Sequence, residues 1–303
     1  MDEGTFAILQ GKYHLLQIPL FHMKGEKMKT RVITGIGIIV VAIVLVALAS
    51  FTPIYCIGMA VLAVIASFEL LRVFGVHKEW HISAPTYVLS AVLPFSAYFA
   101  NDFRGKYVLA VGAALFSFLV YLLGVAVFSH KKIKFVLVAA VYMAIIYVIV
   151  SFTSLSMIMY VEKGIYYLGI IIISSWGCDA GAYFIGCKFG KHKLIPDVSP
   201  NKSVEGAIGG LAVSVVFNVL YGYIVKICGG AEVNYLVLAI LGLVLSVVAM
   251  VGDLIASLIK REYGIKDYSN LLPGHGGIVD RFDSVFPIAT FLLMVSAVWP
   301  PFL

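Results

Sequence analysis

The sequence predicts an all-α polytopic integral membrane protein with about nine transmembrane helices and cytoplasmic polar loops. Three observations predict it. Of 303 residues, 61% are hydrophobic and only 13% charged, far outside the range of soluble domains. The apolar residues come in blocks of about 20, the length at which a helix crosses a hydrocarbon core of about 30 Å. The period-2 alternation by which a membrane barrel would satisfy its backbone is absent.

Taken in order, the expected spans are Val32–Ser50, Pro53–Phe74, Ile82–Ala100, Tyr107–Phe128, Phe135–Tyr160, Tyr166–Phe189, Gly206–Ile227, Tyr235–Ile259 and Phe282–Phe302. Only a short FTP turn separates the first two, so they form either a hairpin or a broken helix. Placing the N-terminus inside leaves Arg104, Lys106, Lys163 and Lys226 outside and the other 18 of the 22 Lys and Arg residues inside. That bias orients the chain and puts every polar motif on the cytoplasmic face of the cell (inner) membrane. The net charge of +6 then reads as topology and contact with anionic lipid. No aromatic-interleaved basic region supports nucleic acid as a partner.

Residues 1–27 form a leader with an acidic start, a short broken apolar run and no small-residue cleavage site, which argues against a signal peptide. Met28 opens a run that looks like a natural beginning, so the leader is expected to be disordered or a start-site overcall. Residues 28–165 make up N-terminal membrane helices, and 166–303 a membrane region that carries the motifs. Cys56, Cys178, Cys187 and Cys228 lack metal-ligand spacing and are expected to be buried thiols. The small-residue run GAIGG (206–210) offers a helix-packing face and leaves a homodimer open. Two long inside segments, 188–205 and 260–281, exceed the usual connection length and are expected to be functional.

The chemistry concentrates in those segments. Asp253 sits in an apolar span, where a carboxylate costs about 2.5–3.5 kcal/mol on insertion scales; the alternatives are an interhelical hydrogen bond or a pair with a lysine on the one hand, and a metal ligand or proton acceptor facing a wet cavity on the other. Asp179 has the same character. Glu69 does too, but Arg72 at i+3 offers it a helical salt bridge, so Glu69 is expected to be structural. Asp280 and Asp283 lie three apart, on one face if helical. Such a pair repels unless a cation lies between, and with Asp253 it makes a hard oxygen set suited to magnesium. The turn Leu272–Ile278 places Gly276 and Gly277 beside His275, where backbone N–H groups can approach phosphate. Lys260, Arg261, Lys266 and Arg281 around it are candidate phosphate ligands. Upstream, Lys191 and Lys202 are point charges for phosphate. Ser199, Asn201 and Ser203 can hydrogen-bond a base or sugar, and Ser203 also reads as the cap of the next span, followed by Glu205. No Walker motif and no G-x-G-x-x-G occur, so a soluble-type nucleotide fold is unsupported.

The run Ser257, Lys260-Arg261, Lys266-Asp267, Ser269, Leu272-Pro273, His275-Gly276-Gly277, Asp280-Arg281 and Asp283 resembles, without a gap, the signature of the phosphatidate cytidylyltransferases, the CDP-diacylglycerol synthases. A second region at Asp179, Gly181–Tyr183, Gly190–His192, Ser199-Pro200, Lys202 and Glu205-Gly206 resembles that family's other motif, departing from it at Ala180, Asn201, Ser203 and Val204. The resemblance implies that CTP and phosphatidate give CDP-diacylglycerol and pyrophosphate, with magnesium required. It implies that Asp253, Asp280 and Asp283 hold the metal, directly or through a second bridging cation. Lys260, Arg261, Lys266, His275 and Arg281 would then act on phosphates with Gly276 and Gly277, while Asp179 and Asp267 orient these groups. Lys191, Ser199, Lys202, Ser203 and Glu205 would belong to substrate binding. A CTP-using lipid kinase is expected to lack this run. A transporter for an anionic solute has no need of clustered carboxylates beside phosphate-binding loops, and the CDP-alcohol phosphotransferase spacing is absent.

Overall fold

The structure, a computed structural model, describes residues 53–100 and 104–302, together with 35, 37, 40 and 43–49. The leader 1–27 lies outside the described residues, as does much of the first expected span. Seven helices among the described residues are long and apolar enough to cross a membrane, which makes the protein multi-pass. They are α1 (Ile54–Val73), α2 (Trp80–Ser96, continued as a 3₁₀ turn to Ala100), α3 (Arg104–Phe128), α4 (Phe135–Met159), a fifth span in two helices, α5 (Gly164–Ile172) and α6 (Cys178–Phe189), and then α7 (Val204–Gly229) and α8 (Tyr235–Glu262). All seven match expected spans to within a few residues.

The last expected span, 282–302, holds α10 (Val285–Ser296), preceded by the single turn α9 (Val279–Phe282); Asp283 and Ser284 between them keep right-handed helical dihedrals. Pro300 and Pro301, which cannot continue a helix, close its C-terminal side.

Three local features position the site. First, α5 and α6 are joined through a π-helical turn, Ile173–Gly177, a geometry that recurs at functional sites. It turns the Ser175 hydroxyl onto that of Ser284, 2.7 Å away and buried, and leaves the Ser174 hydroxyl to accept from Asn218 Nδ2 on α7 at 3.0 Å. Second, the 188–205 segment folds as a hairpin of β1 (Lys193–Ile195) and β2 (Ser199–Ser203). Third, α6 and α7 pack closely through glycines. A Cβ at Gly206 or Gly210 would strike the carbonyls of Ala182 or Cys178, and one at Gly209 would strike the Ile185 side chain. The glycines of the GAIGG run are therefore packed within the chain. Of the cysteines, Cys56 and Cys178 are buried as expected, but Cys187 and Cys228 are exposed.

The core runs between α1, α4, α8 and α10. Phe152 and Phe286, both essentially fully buried, meet edge to face with centroids 5.4 Å apart. The Ser151 hydroxyl donates to the Phe286 carbonyl at 2.8 Å, which holds α10 on α4.

Candidate active site

The loop from Tyr263 to Ile278 is folded around two carboxylates that accept its backbone N–H groups. Asp280 is buried; its Oδ2 accepts from Tyr268 N at 2.7 Å and Gly277 N at 3.0 Å, and its Oδ1 from Lys260 Nζ at 2.9 Å. The Lys260 ammonium also lies 5.6 Å from the centre of the Tyr268 ring, a cation–π contact in a site where it is nearly desolvated. Burial, and then Asp280 beside it, push the Tyr268 phenol above its ordinary range. It therefore stays an O–H donor, and it donates to the Ala256 carbonyl on α8 at 3.0 Å.

The second carboxylate is Glu69, and here the sequence expectation is corrected. Glu69 makes no salt bridge with Arg72, which is exposed. It is fully buried and reaches across more than 200 residues of chain. Its Oε1 accepts from Ser269 Oγ at 2.5 Å and Ile278 N at 3.0 Å, and its Oε2 from Val279 N at 2.9 Å. The orphan N–H groups that open α9 are thus satisfied by a carboxylate from α1.

The glycines of the PGHGG turn serve this inward architecture. Gly276 has φ +78°, and a Cβ there would press on the Asp280 carboxylate. A Cβ at Gly277 would overlap the Glu69 carboxylate. Where a phosphate cradle is expected, the Gly277, Ile278 and Val279 N–H groups are committed to Asp280 and Glu69. Likewise Lys260 is committed to Asp280, with both side chains mostly buried.

The remaining acidic residues converge on the other side of α9. A Cβ at Gly252 would collide with the Asp283 carbonyl and Pro287, so this glycine lets the 283–287 backbone lie directly on α8. The next residue, Asp253, neighbours Asp283, and the two carboxylates act on each other electrostatically. Lys202, at the end of β2, forms an ion pair with Asp253, and Asp179 on α6 is acted on by Lys202, Asp253 and Arg281. The expected metal trio is therefore divided: Asp253 and Asp283 face each other, while Asp280 turns into the loop to hold Lys260. The reason is that the loop N–H groups of Tyr268 and Gly277 and the Lys260 ammonium are all satisfied by Asp280. Among the described residues, no three His, Cys, Asp or Glu side chains gather into a ready metal shell. Two facing carboxylates do fit magnesium, which takes one or two carboxylates and fills its other positions with water and phosphate.

The hairpin is tied to both sides. Ser203 is the N-cap of α7, accepting from Gly206 N at 3.1 Å. Glu205 accepts from the backbone N–H of Lys191 (3.1 Å) and His192 (3.2 Å) and sits 2.6 Å from His192 Nδ1. Glu205 and Ser203 thus shape the turn that presents Lys191, instead of standing free. Arg261 Nε donates to the Val198 carbonyl at the hairpin tip, 3.2 Å away. Ser199 pairs with Ile195 at the far end of the ladder. Lys191, Lys266, Asp267 and Arg281 are exposed around this surface. His275 is half-buried, and its Nδ1 has no hydrogen-bond partner among the described residues.

Sequence reasoning missed the functions of Glu69, Ser269, Tyr268 and Gly252. For Glu69 the signal was present, since a carboxylate in an apolar span demands a partner. What misled was the nearer candidate at i+3.

Comparison with known proteins bears on this arrangement. The sequence model of the cytidylyltransferase family matches residues 29–299. A phosphatidate cytidylyltransferase of Bacillus subtilis (strain 168) is 33% identical over 282 residues, covering 90% of this chain and 98% of that protein. One from Staphylococcus haemolyticus (strain JCSC1435) is 34% identical over 286 residues, covering 88% and 99%.

Proposed function

The chain belongs to the cytidylyltransferase family, and we propose that it transfers a cytidylyl group from CTP to phosphatidate, giving CDP-diacylglycerol and pyrophosphate. A phosphate oxygen of phosphatidate attacks the α-phosphorus of CTP. The new P–O bond forms as the bond from the α-phosphorus to the bridging oxygen breaks, and pyrophosphate leaves with the electron pair. No protein nucleophile is needed, so catalysis rests on positioning and on neutralising phosphate charge.

The observation that carries this reading is the convergence of Asp253, Asp283, Lys202 and Asp179 against a loop locked by Glu69. Two carboxylates held face to face repel unless a proton or cation lies between them. Asp253 and Asp283 would hold magnesium. When bound, it would supply positive charge to the phosphates that react and leave. Lys202 and Arg281 add fixed positive charge on the same side, and Asp179 orients them. Lys191, Arg261 and Lys266 provide a basic rim for the nucleotide phosphates. Asp280, Lys260, Gly276, Gly277 and Glu69 act one step back, by fixing where Arg281 and Asp283 stand. The Lys and Arg bias supports a site at the cytoplasmic face of the cell membrane, where CTP is available and the lipid phosphate meets water.

The test is transfer of label. With CTP labelled at the α-phosphate and phosphatidate in detergent micelles, label enters the lipid and unlabelled pyrophosphate is released. Label reaching the lipid only from the γ-position would mean a lipid kinase and would overturn the reading.

A further inference from the structure

Among the buried polar groups to which the functional reading gives no role are the hydroxyls of Tyr147, Thr153 and Ser156 on α4; of these, Tyr147 lines a cleft together with Tyr268 of the active-site loop. Tyr147, on α4, packs its ring edge to face on Phe286 with centroids 5.6 Å apart, yet its hydroxyl is buried and has no hydrogen-bond partner among the described residues. An unpaired buried hydroxyl is destabilising, and a ligand acceptor would relieve it. The charged group that acts on it is Asp283, one of the two facing carboxylates.

Tyr147 also stands where two apolar clefts meet. One, of about 390 Å³, runs past Leu70, Phe74, Ile259 and Tyr268. The other, of about 550 Å³, is lined by Val150, Val248, Pro287, Phe291 and Met294. Met143 and Tyr147 line both. The second cleft continues into a third of about 580 Å³, the two sharing Val150, Thr290 and Met294. The seam so formed follows α4 from Tyr147 to beyond Met157, on the order of 15 Å of helix, comparable to one leaflet of a core about 30 Å thick.

We propose that this seam seats an acyl chain of the diacyl lipid substrate, with the Tyr147 hydroxyl donating a hydrogen bond to the ester carbonyl at the head of that chain. The proposal rests on the functional reading above and names the part of the protein that recognises the lipid. Continuity distinguishes this seam from a groove filled by bulk lipid. Pro287, which lines it, is pressed on α8 at Gly252, beside Asp253, and at its polar end stands Tyr147, whose hydroxyl has no hydrogen-bond partner among the described residues. A chain in the seam hangs from a glycerol held next to the carboxylate pair, which brings the lipid phosphate to the reacting centre. Tyr147 is a positioning residue for that lipid.

Two ratios test it on the full-length enzyme in mixed micelles. Tyr147→Phe removes only the hydroxyl, while a dialkyl ether phosphatidate removes only the carbonyl. In the parent enzyme kcat/KM for the diester should exceed that for the diether about five-fold, the scale of one neutral hydrogen bond. In Tyr147→Phe the ratio should fall to about one, through KM for the lipid. Met294→Trp, at an exposed position shared by two clefts, should lower the ratio of long-chain to short-chain kcat/KM by about ten-fold or more, as for other apolar pockets. Val150→Phe serves the same purpose should Met294→Trp not assemble. Either ratio left unmoved overturns the proposal and returns the seam to bulk lipid. Absence of transfer to any phosphatidate, short-chain included, would sink the functional reading instead.

Discussion

Replacing Glu69 by Gln should disable the active-site loop although the substitution lies on a different helix, about 200 residues away in sequence. The carboxylate accepts three hydrogen bonds, from Ser269 Oγ, Ile278 N and Val279 N. Gln keeps one oxygen, able to serve Ser269 and Ile278 as a neutral acceptor. Its amide nitrogen then confronts the Val279 N–H, donor against donor. One charge-assisted bond, worth about 1.5–3 kcal/mol, is lost, two are weakened, and a buried N–H is left unpaired at about 1–3 kcal/mol. A net local destabilisation of about 3 kcal/mol follows, enough to open the start of α9 on the order of a hundred times more often. Since α9 sets the position of Arg281 and Asp283, turnover should fall at least ten-fold. Hydrogen exchange by mass spectrometry should show the segment 268–282 losing protection while α2 and α4 keep theirs. Gly277→Ala, which crowds the same carboxylate, should give the same pattern. A Glu69→Gln enzyme with normal protection in that segment and near-parental turnover would refute the reasoning.

The three aspartates of the motifs should separate by phenotype. Asp253→Asn and Asp283→Asn should each lower magnesium-dependent turnover by orders of magnitude, about 3 kcal/mol or more of barrier; Asp283→Asn should leave thermal unfolding in detergent unchanged or raised, because a repelling pair is relieved, whereas Asp253→Asn also removes the ion-pair partner of Lys202. Asp280→Asn should instead lower the unfolding temperature, since it leaves the Lys260 ammonium buried without its counter-ion at a cost of about 3–5 kcal/mol; identical behaviour of all three would contradict the division seen in the structure. Chelation of divalent cations should abolish turnover of the parent enzyme, and added magnesium should restore it. Full activity in chelator would remove the metal from the site.

What the sequence determined by itself was the membrane architecture and the inventory of the site. Hydropathy reaches no further than the helix on which it is read, and seven spans follow from it because each apolar block satisfies its own backbone. The motif residues could be named because functional groups are rare in so apolar a chain: Asp179, Lys202, Asp253 and Asp283 stand out against their surroundings and do converge. Which carboxylate does which task was decided only by tertiary structure. Asp280 and Asp283 are equivalent in spacing arguments, but the single turn of α9 points one at Lys260 and the loop N–H groups and the other at Asp253. Glu69 had a plausible neighbour at i+3, and nothing local could reveal that the unsatisfied N–H groups of a distant loop would reach it first. The glycines at 252, 276 and 277 read alike as flexible turn or span residues. Their use, making room for the Asp283 backbone, the Asp280 carboxylate and the Glu69 carboxylate, depends on what another part of the chain brings within van der Waals distance, and that is a property of packing.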